Sequence, residues 1–283
     1  MRGMNDTIRI AHSPDADDAF MHYAVVHGRV DGRGLRFEEI LADIETLNQR
    51  AAQGTFEVTA LSLHAYAYLD SSYALLNSGA SLGDGYGPVV IARSPLRRED
   101  LAGLRVATPG KLTSARLALQ LWQPAAVCVD MAFDAVMAAV KAGDVDAGVI
   151  IHEGQLTFQD EGFAKVADLG ELWTAETGTP LPLGGNAIRR DLGVELMGRV
   201  AGVLEASIRW ALEHRDEALS HALGFGRGLD RGRGDRFVGM YVNESTLDYG
   251  DRGRRGLELF YRRAHEAGLI PHLPRTEFVR GTD

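Results

Sequence analysis

The stretch AGVIIHEGQLTF, residues 147 to 158, sets His152 and Glu153 directly behind an apolar run. A neutral imidazole in that place can take a proton near pH 7 without a cofactor, because its ordinary pKa lies close to that pH. A histidine hydrogen-bonded at the end of a strand accounts for the spacing equally well. Spacing alone leaves both readings of His152 open, and gives Glu153 no role. A second set is acidic: Asp15, Asp17 and Asp18 in SPDADD. Aspartate is a preferred N-cap and complements the positive end of a helix dipole, yet one cap needs only one carboxylate. Three in four positions exceed that need, so at least one, with Asp18 as the assignment, is expected to face a polar substrate group, although helix capping accounts for the spacing equally well. A third set carries hydroxyls. Thr113 and Ser114 follow TPGK and open a helix, and Ser62 ends one strand and starts another helix. In both places backbone N–H groups and hydroxyls can hold a carboxylate or other anion, although N-capping alone explains Thr113 and Ser114.

Other chemistries find less support. The nine histidines show no zincin spacing, Leu156 standing where a second histidine would follow His152, and no cysteine pair is present. No serine sits in a nucleophile-elbow pattern. The loop GDGYG, residues 83 to 87, precedes a strand rather than a helix, unlike a nucleotide-binding loop, and reads as a hinge-adjacent turn. The expectation is a site with no metal and no cofactor.

The elements that must position these groups alternate. TIRIAHS, LRFEEILA, FEVTALS, VVIARS, GLRVATPG, AVCVDM and VDAGVIIHE have strand patterns, and helix-like runs separate most of them, which points to an α/β protein with parallel sheets. LPLGGNAIRR reads as a further strand, and long amphipathic helices span about 194 to 222 and 251 to 268. The economical architecture has two α/β lobes, residues 1–93 plus 187–283 and residues 94–186, joined by two crossover strands, VVIARS going out and GGNAIRR coming back. The first lobe then owns the C-terminal helices, bending is expected near Arg93 and Gly185, and a ligand cleft lies between the lobes. SPDADD, LSLHA, TPGKLTS and IIHEG, at strand C-termini, would converge there.

With 45% hydrophobic residues in 283, the chain can bury a sizeable core. Acidic residues outnumber basic ones 39 to 30, a formal charge of −9, which argues against nucleic acid as a partner. The one arginine-dense stretch, RGLDRGRGDR at 227 to 236, is mixed with aspartate and reads as a solvated loop. The single cysteine, Cys128, lies in an apolar run and reads as a small core hydrophobe. The N-terminal stretch shows no apolar signal region and no segment is apolar enough to span a membrane, so the expectation is a cytoplasmic protein that meets no membrane. Oligomeric state has no signature in the sequence.

An ordered set of segments carries a resemblance: SPDADDAF at 13 to 20, DIETLN at 43 to 48, TALS at 59 to 62, GYGPVVIAR at 85 to 93, PGKLTSA at 109 to 115, GVIIHE at 148 to 153, LPLGG at 181 to 185 and YVNESTLDYG at 241 to 250. Together they resemble the 1,4-dihydroxy-6-naphthoate synthase family of futalosine-pathway menaquinone biosynthesis. The resemblance implies a two-lobed, periplasmic-binding-protein type II-like fold put to enzymatic use as a lyase. It also implies conversion of cyclic dehypoxanthinyl futalosine, a small anionic molecule, to 1,4-dihydroxy-6-naphthoate, with no metal or redox cofactor. It assigns His152 as the proton acceptor, and Leu61 and Ser62 of the LS motif with Thr113 and Ser114 as substrate contacts. The family pattern departs from this chain at SPCPND, where Asp15 and Asp17 replace cysteine and asparagine, and at Ala60, where lysine is common. Both changes add negative charge or remove positive charge, which would weaken a benzoate-bearing substrate by a few kcal/mol if the groups are buried together, and leave room for a related but different ligand. The alternatives are a solute-binding protein of the same fold, which would require export, and chorismate dehydratase, which DIETLN and IIHE fit less well.

Overall fold

The computed structural model describes residues 7–226 and 229–282. Two compact units divide the chain. The first comprises the chain up to Ser81, Gly184–Asp251 and the chain from Pro274; the second comprises Leu82–Leu183 and Arg252–Leu273.

In the first unit the strand order is Phe278–Val279, Tyr73–Leu76, Leu181–Arg189, Val58–Ser62, Thr7–His12 and Arg36–Leu41. Leu181–Arg189 runs antiparallel to both neighbours, and the remaining pairs are parallel. Ile8, Ile10, Val58, Leu76 and Ile188 pack against Val200, Val203 and Leu204 of the helix Val194–Glu213. Each such fully buried aliphatic side chain contributes about 1.5–3 kcal/mol. On another face, Leu47 of the helix Ile44–Ala51 closes over Ala11, Phe56 and Ala60.

In the second unit the order is Ala164–Asp168, Val89–Ala92, Ala147–Ile150, Arg105–Thr108 and Val127–Asp130. Val89–Ala92 is antiparallel to both neighbours, and the other two pairs are parallel. The core gathers Val89, Ile91, Ala107, Val136, Val140, Ile150, Phe158 and Phe163. Gly148 lets two of these approach the sheet, since a Cβ there would meet Val136 Cγ1 at 2.6 Å and Val140 Cγ2 at 2.9 Å.

Several sequence expectations need correction. The sheets are mixed, because each contains one returning strand. The boundaries fall at Ser81/Leu82 and Leu183/Gly184 rather than at 93 and 186. VVIARS is not a crossover: it forms the interior strand Val89–Ala92 of the second sheet, and Arg93 Nη1 donates to the carbonyls of Val140 and Val145 at 2.5 and 3.2 Å, which leaves no hinge there. The chain passes between units four times rather than twice, because from Arg252 the C-terminal helix Gly250–Glu266 belongs with the second unit. Its Phe260 meets the Trp173 ring edge-on at 5.6 Å, and its Arg263 pairs with Glu176 at 2.9 Å. The expected helix over 194–222 is broken at His214 into Val194–Glu213 and Arg215–Ala222. The expected loop at 227–236 contains the start of the helix Arg231–Tyr241, capped by Asp230 accepting from Arg233 N and anchored by buried Phe237 and Val238; residues 227 and 228 lie outside the described residues. Glycine and arginine hid that helix because its apolar anchors come only in its second half.

Candidate active site

In the first unit the strand Thr7–His12 ends in a buried histidine. His12 Nδ1 lies 2.9 Å from the Ser13 carbonyl and Nε2 lies 3.0 Å from Glu39 Oε1. Both partners accept, so both ring nitrogens carry hydrogen and His12 is an imidazolium. Burial pulls its pKa down, but the Glu39 hydrogen bond, the Asp18 charge and the Ser13 carbonyl outweigh that and hold it above the ordinary value. The same hydrogen bond holds the Glu39 carboxyl below its usual range. His22, nearly two turns into the helix Ala16–Val26, stacks on His12 with ring centroids 4.4 Å apart and planes 8° from parallel.

The turn that follows explains the aspartates. Asp15 occupies the N-cap position of that helix, yet its side chain makes no capping bond. It accepts instead from Ser13 Oγ at 2.6 Å, while Asp18 Oδ2 lies 2.8 Å from the same hydroxyl and accepts from Ser13 N at 2.9 Å. Burial raises the Asp18 pKa, opposed by His12 and reinforced by Asp15.

Ser62 ends the strand Val58–Ser62, and Asn48 of the helix Ile44–Ala51 takes both its polar atoms: Ser62 N donates to Asn48 Oδ1 at 2.9 Å and Asn48 Nδ2 donates to Ser62 Oγ at 3.1 Å. Leu61 is wholly buried and pairs with Gly185 across the sheet. Ala60 completes the apolar cluster under Leu47 and Phe56, which is a packing reason for a small side chain at that position.

In the second unit Thr113 is the N-cap of the helix Ser114–Trp122. Its Oγ1 accepts from Arg116 N at 3.3 Å and donates to the Gly110 carbonyl at 2.9 Å. Ser114, the first helical residue, is buried beside it. His152 follows the strand Ala147–Ile150 with φ of 61°, a left-handed backbone in a residue that is not glycine, and its ring meets Phe133 edge-on at 4.8 Å. Such a backbone costs on the order of 1 kcal/mol or more and persists only where its surroundings impose it. Glu153, next in the chain, is buried.

The assigned residues therefore divide: Asp18, Leu61 and Ser62 are positioned by the first unit, and Thr113, Ser114 and His152 by the second. Sequence reasoning passed over His12, Glu39 and Asn48. The only signal for Asn48 was its place in DIETLN. Among the described residues no three His, Cys, Asp or Glu side chains are grouped to hold a metal, and no helix is long and apolar enough to cross a membrane.

The chain can now be set beside known proteins. It has the periplasmic-binding-protein-like fold: the alkanesulfonate-binding protein of Xanthomonas axonopodis superposes with a TM-score of 0.70 over 95% of this chain and 96% of that one, at only 13% identity. A crystal structure of a protein from Archaeoglobus fulgidus is far more similar, with a TM-score of 0.89 and 48% identity over 93% of this chain and 98% of its own. The 1,4-dihydroxy-6-naphtoate synthase of Thermus thermophilus is 40% identical over 274 residues, 97% of this chain and all (100%) of that protein. The protein of that name from Streptomyces coelicolor is 37% identical over 95% of this chain and 96% of its own. The profile of the menaquinone-biosynthesis family matches residues 8–266, and the chain belongs to that family.

Proposed function

We propose that this protein is a cytoplasmic lyase that converts cyclic dehypoxanthinyl futalosine to 1,4-dihydroxy-6-naphthoate, with His152 as general base. The observation that carries the reading is the end-to-end similarity to two relatives that bear the synthase name. His152 takes a proton from the sugar-derived part of the substrate and starts the cleavage that frees this part from the bicycle. Aromatisation of the remaining ring supplies much of the driving force. The left-handed backbone of His152 supports the role, since strain kept at one polar residue is a mark of functional positions. In this reading Ser62, Thr113 and Ser114 hold the anionic or carbonyl groups of the substrate, and Asp18 acts on a polar group near them.

The test is incubation of purified protein with cyclic dehypoxanthinyl futalosine, with product followed by mass spectrometry. Product is expected from the wild type, and His152→Asn should lose about 10² to 10⁴ in rate while still binding. A wild type that leaves this substrate intact, or dehydrates chorismate instead, overturns the assignment. A His152→Asn variant near wild-type rate beside an inactive Asp18→Asn would move the base to the acidic turn.

A further inference from the structure

Asn48 has no exposed surface, and both ends of its carboxamide are engaged by Ser62. A backbone N–H can only donate, so the 2.9 Å contact from Ser62 N marks the facing atom of Asn48 as oxygen. The other end is then Nδ2, and at 3.1 Å it donates into Ser62 Oγ. Ser62 Oγ thus spends a lone pair on the interior of the fold. Its side chain gives no capping bond to the short helix behind it, and among the described residues nothing accepts its proton.

We propose that Asn48 is a positioning residue that fixes Ser62 as a hydrogen-bond donor to the substrate, so that this point of the site selects an acceptor such as a carboxylate or carbonyl oxygen. The proposal rests on the reading that Ser62 contacts substrate. A purely structural Asn48 would tie helix to strand without governing which way the hydroxyl points. Reversing the polarity separates the two. As a carboxylate, Asn48→Asp still accepts from Ser62 N, but its second oxygen can then only accept, so at a pH that keeps it ionised the Ser62 hydroxyl turns inward and its proton is lost to the substrate.

Steady-state kinetics on wild type, Asn48→Asp, Ser62→Ala and the double variant give the test. Asn48→Asp and Ser62→Ala should each raise KM about tenfold with kcat little changed, and the double variant should be no worse than either. An unchanged KM in Asn48→Asp, or effects that multiply in the double variant, overturns the proposal. A second measurement needs neither a variant nor substrate: neutron diffraction from deuterium-exchanged wild-type crystals. Deuterium on Asn48 Nδ2 facing Ser62 Oγ, with the Ser62 deuteron turned away, is expected; a deuteron pointing from Ser62 to Asn48 refutes it. If wild type turns over no cyclic dehypoxanthinyl futalosine, the proposed function fails, and the neutron map alone decides the polarity of Ser62.

Discussion

Acidification should destabilise this protein through His22, and His22→Phe should remove that sensitivity. His22 is 2% exposed, and its Nδ1 lies 2.9 Å from the Asp18 carbonyl, so the ring is neutral with its hydrogen on that nitrogen. A proton on His22 would be opposed first by burial and then by the imidazolium of His12, against which it stacks, and its pKa is pushed down from 6.5 to about 3. A histidine whose folded pKa is depressed adds stability that is complete above its unfolded value and is lost as pH falls from 6.5 toward 3. At pH 5 the loss is about 1.4 kcal/mol for each of roughly 1.5 pH units, or about 2 kcal/mol. His12 and Asp18, with raised pKa values, contribute in the opposite sense, their stabilisation being lost as pH rises, but both remain in the variant. Phenylalanine keeps a ring for His12 to stack on and cannot titrate. Its missing N–H removes about 1 kcal/mol at every pH, so the informative quantity is a double difference. Calorimetric melts at pH 7.5 and 5.0 should show the wild type losing about 4–8 °C more than His22→Phe, at about 2–4 °C per kcal/mol for a chain of this size. Equal losses in the two proteins would refute both the buried neutral His22 and the charged His12.

Three further outcomes are expected. Gly148→Ala drives a methyl against Val136 and Val140 and should destabilise by about 1–3 kcal/mol in a melt, with Val136→Ala in the same chain recovering part of the loss. Thr113→Ala removes the cap of the helix Ser114–Trp122 and should cost about 1 kcal/mol, while Thr113→Ser should keep most of it; equal melting of the two variants would count against the cap. Cys128 is half-buried and burial raises its thiol pKa, so iodoacetamide at pH 7 should label the native protein far more slowly than the unfolded one, as mass spectrometry can follow.

Much of the strand and helix order is visible in hydrophobic periodicity, because both units bury alternating or helical apolar faces that a short window detects. Ile8 and Ile10 announce the first strand, and the run Ala147–Ile150 announces the one before His152. The errors in assigning segments to units share one cause: each depended on which distant partner a segment packs against. Val89–Ala92 looks the same in sequence whether it crosses between units or lies inside a sheet, and only its pairing with Ala147–Ile150 and Ala164–Asp168 decides. The helix Gly250–Glu266 carries no mark of its owner until Phe260 finds Trp173. The residue types of the site were legible as chemistry, but their hydrogen-bond partners were not. Asn48 and Ser62 are separated by 14 residues, and His12 and Glu39 by 27, distances at which no local pattern connects them.

The acidic turn shows what that missing information changes. Counted as letters, Asp15 and Asp17 beside Asp18, with Ala60, make this region look strongly negative. In the structure His12 places a positive charge beside Asp18, and Glu39 balances His12 from its other side. Ser13 has one hydroxyl hydrogen and two carboxylates within 2.6 and 2.8 Å of its oxygen. It can donate fully to one of them, so the second close contact is relieved when a carboxyl keeps a proton of its own. The direction of the Asp18 shift is the one that sharing requires, since burial and Asp15 both favour its neutral form. A count of aspartates therefore overstates the negative charge held at this turn. Asp15 serves this turn as a hydrogen-bond acceptor, taking the Ser13 hydroxyl at 2.6 Å.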